Sequence, residues 1–146
     1  MEKYSKNNNY MIVNISRSSD ALSIKSTQVE KDVNFLLLPY LVVNSNENLA
    51  TVILTSQFID ENDIPLSNEL TVKITYKFFH DLPIALDGKQ NINIQNYPDL
   101  LSIFDTIVGT FRGILFEWLK DSPLQRPLPF VDIEELIKDL RISFSK

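Results

Sequence analysis

Hydrophobic and polar positions change rhythm once along this chain, near residue 97: strand-like alternation precedes it, and helical spacing follows. The cleanest alternation runs from Glu69 to His80. Leu70, Val72, Ile74, Tyr76 and Phe78 fall on one face and Thr71, Lys73, Thr75 and Lys77 on the other, which predicts a half-buried strand with one wet face. Val33 to Val43 is apolar on both parities, so this strand requires cover on each side. Its Pro39 cannot donate a ladder hydrogen bond, which makes it an edge strand or a bulged one. Leu49 to Ile59 predicts a further strand, ending in the acidic turn Asp60-Glu-Asn-Asp-Ile-Pro65. Tyr10 to Lys25 reads as one long strand, bulged or bent at the polar stretch Ser16-Arg-Ser-Ser-Asp20. Short connections make the sheet an antiparallel meander or Greek key.

Asp81 to Tyr97, with Pro83 and Gly88, carries no strong pattern and reads as a linker. A helix is expected over Pro98 to Lys120, with Pro98 in its first turn and Asp99 complementing its positive end. Leu100, Phe104, Ile107, Phe111, Ile114 and Trp118 step by fours and threes, and Leu101, Val108 and Leu115 widen the stripe. Its aromatic members are Phe104, Phe111, Phe116 and Trp118. Gly109 and Gly113 sit one turn apart, each costing about 1 kcal/mol of helix propensity, which points to a backbone held close to another element. Ser122 to Val131 holds Pro123, Pro127 and Pro129 and must be extended. Asp132-Ile-Glu-Glu135 has capping-box spacing, and Ile133, Leu136, Ile137 and Leu140 form the apolar face of a short final helix. The expected fold is α+β: a four-stranded antiparallel sheet, then a long amphipathic helix and a short C-terminal helix. Residues 10–146 make a single domain behind a polar, disordered segment 1–9.

Composition narrows the function. Fourteen Lys and Arg against 19 Asp and Glu give a net charge of −5, which disfavours nucleic acid and anionic membrane as partners. With no Cys, one His (His80) and three Gly, the chain lacks disulfides, thiolate nucleophiles, histidine metal clusters and glycine-rich phosphate loops, so no cofactor, metal or enzymatic activity is expected. His80 and Asp81 are adjacent on a strand and point to opposite faces, so they do not orient one another as a base and its partner. Asp60, Glu61 and Asp63 lack the ligand array of a calcium loop and read as a solvated turn or an acidic docking patch. The longest apolar run, Phe35 to Val43, is far short of the roughly 20 residues that span a bilayer. The opening segment has no apolar stretch of a secretory signal, so a soluble cytoplasmic protein is expected. One small sheet and two helices have limited means of covering so much apolar surface, which implies a subunit interface or an exposed binding groove. Rival readings are a small-molecule-binding protein or hydrolase with a pocket between sheet and helices, and a non-catalytic adaptor with one fixed partner.

Three segments carry a family resemblance. Phe104-Asp-Thr-Ile-Val-Gly-Thr-Phe-Arg-Gly-Ile-Leu115, Asp121-Ser-Pro-Leu124 and Pro127-Leu-Pro-Phe-Val-Asp-Ile-Glu-Glu-Leu136 resemble the helix, turn and extended entry to the final helix of SecB-like protein-export chaperones. The resemblance implies an ATP-independent holdase that keeps clients unfolded in hydrophobic grooves and assembles as a dimer or a tetramer of two dimers. It implies assembly through the long helix, by Leu100, Phe104, Ile107, Gly109, Phe111, Gly113, Ile114 and Trp118. It places client binding at Phe35, Leu37, Tyr40, Phe130, Ile133, Leu136 and Ile137. Family members that serve export dock the SecA motor through acidic sheet-surface residues, for which Asp20, Asp60, Glu61 and Asp63 offer charge. The chain ends Arg141-Ile-Ser-Phe-Ser-Lys146 rather than in the acidic tail of some members, and other members serve dedicated clients such as antitoxins.

Overall fold

A computed structural model of the chain describes residues 10–18, 34–44, 46–79, 98–119 and 132–145. Four strands, β1 (Tyr10–Arg17), β2 (Asn34–Asn44), β3 (Leu49–Ile59) and β4 (Leu70–Phe78), pair antiparallel in the order β1-β4-β3-β2. This is the Greek-key alternative: three hairpin-connected strands, with the first strand returned beside the last. Two helices follow, α1 (Pro98–Leu119) and α2 (Ile133–Lys138), and then a strand the sequence pattern did not predict, β5 (Arg141–Ser145). It pairs parallel to β2, from Tyr40↔Arg141 to Asn44↔Ser145. The sheet is therefore five-stranded and mixed, in the order β1-β4-β3-β2-β5, rather than four-stranded and antiparallel.

Pro39 explains where β5 begins. The β2–β3 register runs unbroken through Pro39↔Leu54, so there is no bulge at the proline. On the other side of β2, pairing begins at Tyr40, one residue beyond it. A residue without an N–H marks the end of that ladder, so β2 is an edge strand up to Pro39 and an interior strand after it. The bulge in β1 lies between Ile12 and Asn14, earlier than the polar stretch expected to bend it. The expected continuation of β1 to Lys25, the segment 1–9, His80, the linker and the Ser122–Val131 stretch lie outside the described residues.

The helices cover one face. Leu41, Val43, Val52, Leu54, Ile74 and Tyr76 from the sheet pack with Ile103, Phe104, Ile107, Phe111 and Leu115 of α1 and with Leu136 and Ile137 of α2 in one buried cluster. Asp132 caps α2 by accepting from the Glu134 N–H at 3.0 Å, while Glu135 turns to Lys138 at 2.8 Å and forms an exposed ion pair. On the opposite face, hydroxyl pairs Thr51–Thr75 (3.0 Å) and Thr55–Thr71 (3.3 Å) bridge β3 and β4. Among the described residues no helix is long and apolar enough to cross a membrane.

Candidate functional site

The sheet is wider than the helical layer above it, and this mismatch leaves apolar side chains uncovered. Tyr10 fastens the start of β1: its hydroxyl lies 2.5 Å from that of Ser102 on α1, and its ring stacks edge-on at 5.6 Å against Tyr76. Beyond Tyr10 no helix among the described residues buries the strand. Ile12 and Ile15 pair with Tyr76 and Ile74 and so face the helical side, yet Ile15 is 53% exposed. Met11 and Val13, the latter at the bulge, are also exposed. β1 is thus an edge strand with apolar side chains on both faces and a backbone edge that pairs with nothing in the described chain. Natural edge strands usually carry charges or prolines that discourage pairing. This one carries Met, Ile, Val and Ile, with Arg17 only at its end.

The long helix divides its apolar residues between two faces. Phe104, Ile107 and Phe111 are buried in the chain's own core, and Ile114 packs beside it. Gly109 and Gly113 lie on the outer face, where a Cβ at either position would meet nothing within 4 Å. The close backbone approach expected of the two glycines is thus not made among the described residues. Phe116, 67% exposed, shares the outer face with Leu101 and the glycines. Its place follows from helix geometry, since five residues beyond Phe111 is a turn of about 140° away from it. The outer face of α1 is a glycine trough between two apolar side chains. The Leu100 and Trp118 side chains lie outside the described residues.

The expected client-binding residues fall on both sides of the sheet. Phe35 and Leu37 face the helices; the Phe35 ring lies 5.0 Å from that of Phe58 and 5.7 Å from that of Phe111. Ile133 packs on the same cluster, in which Leu136 and Ile137 are buried. All five therefore lie on the helical side of the sheet, Phe35 beside α1 and Ile133, Leu136 and Ile137 on α2. Tyr40 is on the other face, opposite Ile53 of β3 and Arg141 of β5, in a half-exposed apolar row with Leu36, Leu38 and Val42. No second layer covers that row among the described residues, although a strand apolar on both parities was expected to have one. Phe130 lies outside the described residues.

The acidic turn is partly occupied with its own folding. The Asp60 carboxylate accepts from the Asn62 and Ile64 N–H groups, each at 2.8 Å, and Asp63 takes a positive φ of 63°. Glu61 and Asp63 remain exposed. Asp20 lies outside the described residues. A cleft of about 280 Å³ is lined by Ser16, Arg17, Ser18, Thr71 and Lys73, at the end of β1 and the start of β4. Among the described residues no group of three His, Asp or Glu side chains could hold a metal. Buried Tyr76 has its phenol pushed up to about 12 by desolvation, with Tyr10 adding and a hydrogen bond from Thr106 opposing; its hydroxyl donates to the Ile103 carbonyl at 3.3 Å. That places it in the structural core, not in a reactive site.

Comparison with known proteins gives likenesses of structure and none of sequence. No family model matches the chain, and no curated protein matches it by sequence. The Mycobacterium tuberculosis SecB-like chaperone Rv1957, solved in complex with a ChAD peptide from the Rv1956 HigA1 antitoxin, superposes with a TM-score of 0.47 at 7% sequence identity. The alignment covers 85% of this chain and 93% of that one.

Proposed function

We propose that this chain is the subunit of a SecB-like, ATP-independent holdase: a cytoplasmic homo-oligomer that binds unfolded polypeptide and performs no catalysis. The observation that carries the reading is apolar surface left open in three places: the β1 edge, the outer face of α1, and the Leu36–Val42 row of β2. A soluble domain seldom leaves extended apolar patches uncovered unless a partner covers them. The resemblance of residues 104–136 to SecB-like chaperones, and a sheet followed by one long and one short helix, support the choice of partner.

The open surfaces suit two kinds of occupant. The β1 edge and the glycine trough of α1 are each a surface that a second copy of the chain can cover. The β2 row, and the Phe35, Leu37 and α2 side chains on the sheet's other face, offer aliphatic and aromatic surface, which suits extended segments of varied sequence. Phe35, Leu37, Tyr40, Phe130, Ile133, Leu136 and Ile137 are assigned to client capture on that basis. Gly109 and Gly113, with Leu101 and Phe116 on the same outer face, are assigned to assembly, while Phe104, Ile107 and Phe111, expected in that contact, are occupied in the chain's own core. The clients are preproteins or a dedicated partner such as an antitoxin. Glu61 and Asp63, with Asp20 and the outward oxygen of Asp60, supply the carboxylates for a docking protein such as SecA.

The test is the aggregation of a chemically denatured client diluted into buffer without nucleotide. Equimolar chain is expected to suppress the rise in light scattering, and further ATP is expected to change nothing. Scattering that is unaltered at every ratio of chain to client overturns the proposal.

A further inference from the structure

β5 is the least securely held strand of the sheet. It has five residues, pairs among the described residues only with β2, and does so in parallel, the weaker ladder geometry. Ile142 is the only one of its described side chains packed on the core, while Arg141, Ser143 and Phe144 are exposed. The strand it covers is the reverse: Leu41 and Val43 are fully buried, with Tyr40 and Val42 half-buried on the other face. A lightly held strand therefore lies on an edge that is apolar on both sides.

The chain is also built to let β5 leave without disturbing α2. The last carbonyls of that helix are satisfied by the N–H groups of Asp139 (to Leu136, 3.2 Å) and Leu140 (to Ile137, 3.0 Å), both ahead of β5. Detachment at Arg141 thus breaks ladder bonds and the Ile142 contact while the helix keeps its cap. Behind Tyr40 the edge is closed to pairing by Pro39, so the vacated site is five residues long.

We propose that β5 is an internal stand-in for a client: an extended client segment binds by displacing it and pairing with Tyr40–Asn44 of β2. This rests on the holdase reading and gives it a location. Register defines the ligand. Ile142 and Phe144 lie beside Leu41 and Val43 on the helical side, while Arg141 and Ser143 lie beside Tyr40 and Val42. The edge therefore takes an extended stretch with apolar residues at alternate positions and indifferent ones between. Main-chain hydrogen bonds supply affinity without regard to sequence, and two apolar side chains supply the preference. An unfolded polypeptide offers such stretches; a folded one has already paired them.

The chain has no cysteine, so a Val42→Cys/Ser143→Cys variant has a single possible intramolecular disulfide, joining register partners of β2 and β5. Binding of fluorescent reduced, carboxymethylated α-lactalbumin, which stays unfolded in buffer, is measured by anisotropy for the oxidised and the reduced forms. Oxidised protein is expected to bind at least tenfold more weakly than the same protein reduced. Ile142→Ser, which loosens β5 without removing it, is expected to bind several-fold more tightly than wild type. Equal binding by the oxidised and reduced forms overturns the proposal and leaves the holdase reading standing. No binding by wild type, reduced variant or Ile142→Ser overturns both.

Discussion

Replacing Phe111 by alanine separates the inner face of α1 from its outer one. Phe111 is 2% exposed and is the helix's contribution to a chain of rings, 5.7 Å from Phe35, which lies 5.0 Å from Phe58. Truncating a buried phenylalanine costs about 3–5 kcal/mol, the larger values arising where the cavity cannot relax. Here Phe35 is only half-buried and sits on the part of β2 that is still an edge, so it can swing toward the gap. The expected loss is therefore at the low end, about 3 kcal/mol. For a chain of this size that lowers Tm by roughly 6–12 °C. Phe116→Ala, on the exposed face, is expected to stay within about 0.5 kcal/mol. Urea unfolding followed by far-ultraviolet circular dichroism measures both, at one fixed chain concentration because oligomers gain apparent stability with concentration. A loss below about 1 kcal/mol for Phe111→Ala, or an equal loss for Phe116→Ala, would show that the wrong face of α1 has been placed on the sheet.

Alanine at Gly109 and Gly113 meets nothing among the described residues, so each substitution should add about 1 kcal/mol of helix stability to a separate subunit. In an assembly through the trough the same methyl groups obstruct the partner, so size exclusion with light scattering should give a multiple of 16.8 kDa for wild type and a smaller mass for the double variant. An unchanged mass refutes the α1 contact. Tyr76 predicts a pH dependence. Its phenol is raised from 10.0 to about 12 in the folded chain, so its contribution is complete below pH 10 and is lost as pH rises through 12. Stability should therefore fall with a slope of up to about 1.4 kcal/mol per pH unit between those values. Tyr76→Phe should flatten that window, and an unchanged slope refutes the assignment.

Local patterns carried most of the fold. β3 spans Leu49–Ile59 as its sequence indicates, β4 lies within Glu69–His80, and α1 matches its expected span to within a residue. Period-2 and period-3.6 signals suffice where one face is buried. β5 was missed because its signal is brief: Ile142 and Phe144 alternate with polar residues over only five positions, and pairing with β2, about a hundred residues earlier, has no local signature. Phe116 was grouped with the inner stripe because aromatic content was counted without its angle on the helix. The apolar character of β1 was visible, but its exposure depends on how far α1 reaches across the sheet. Of the client set, strand parity alone separates Tyr40 from Phe35 and Leu37, since positions an odd number apart on a strand point to opposite faces: 35 and 37 share one face and 40 lies on the other.

The central claim is that this chain distinguishes unfolded polypeptide from folded protein without chemical energy. Anisotropy titration of one labelled protein, presented native and then permanently unfolded, tests it directly in buffer free of nucleotide. Saturable binding of the unfolded form alone is the result expected, and binding to both forms alike, or to neither, would contradict it.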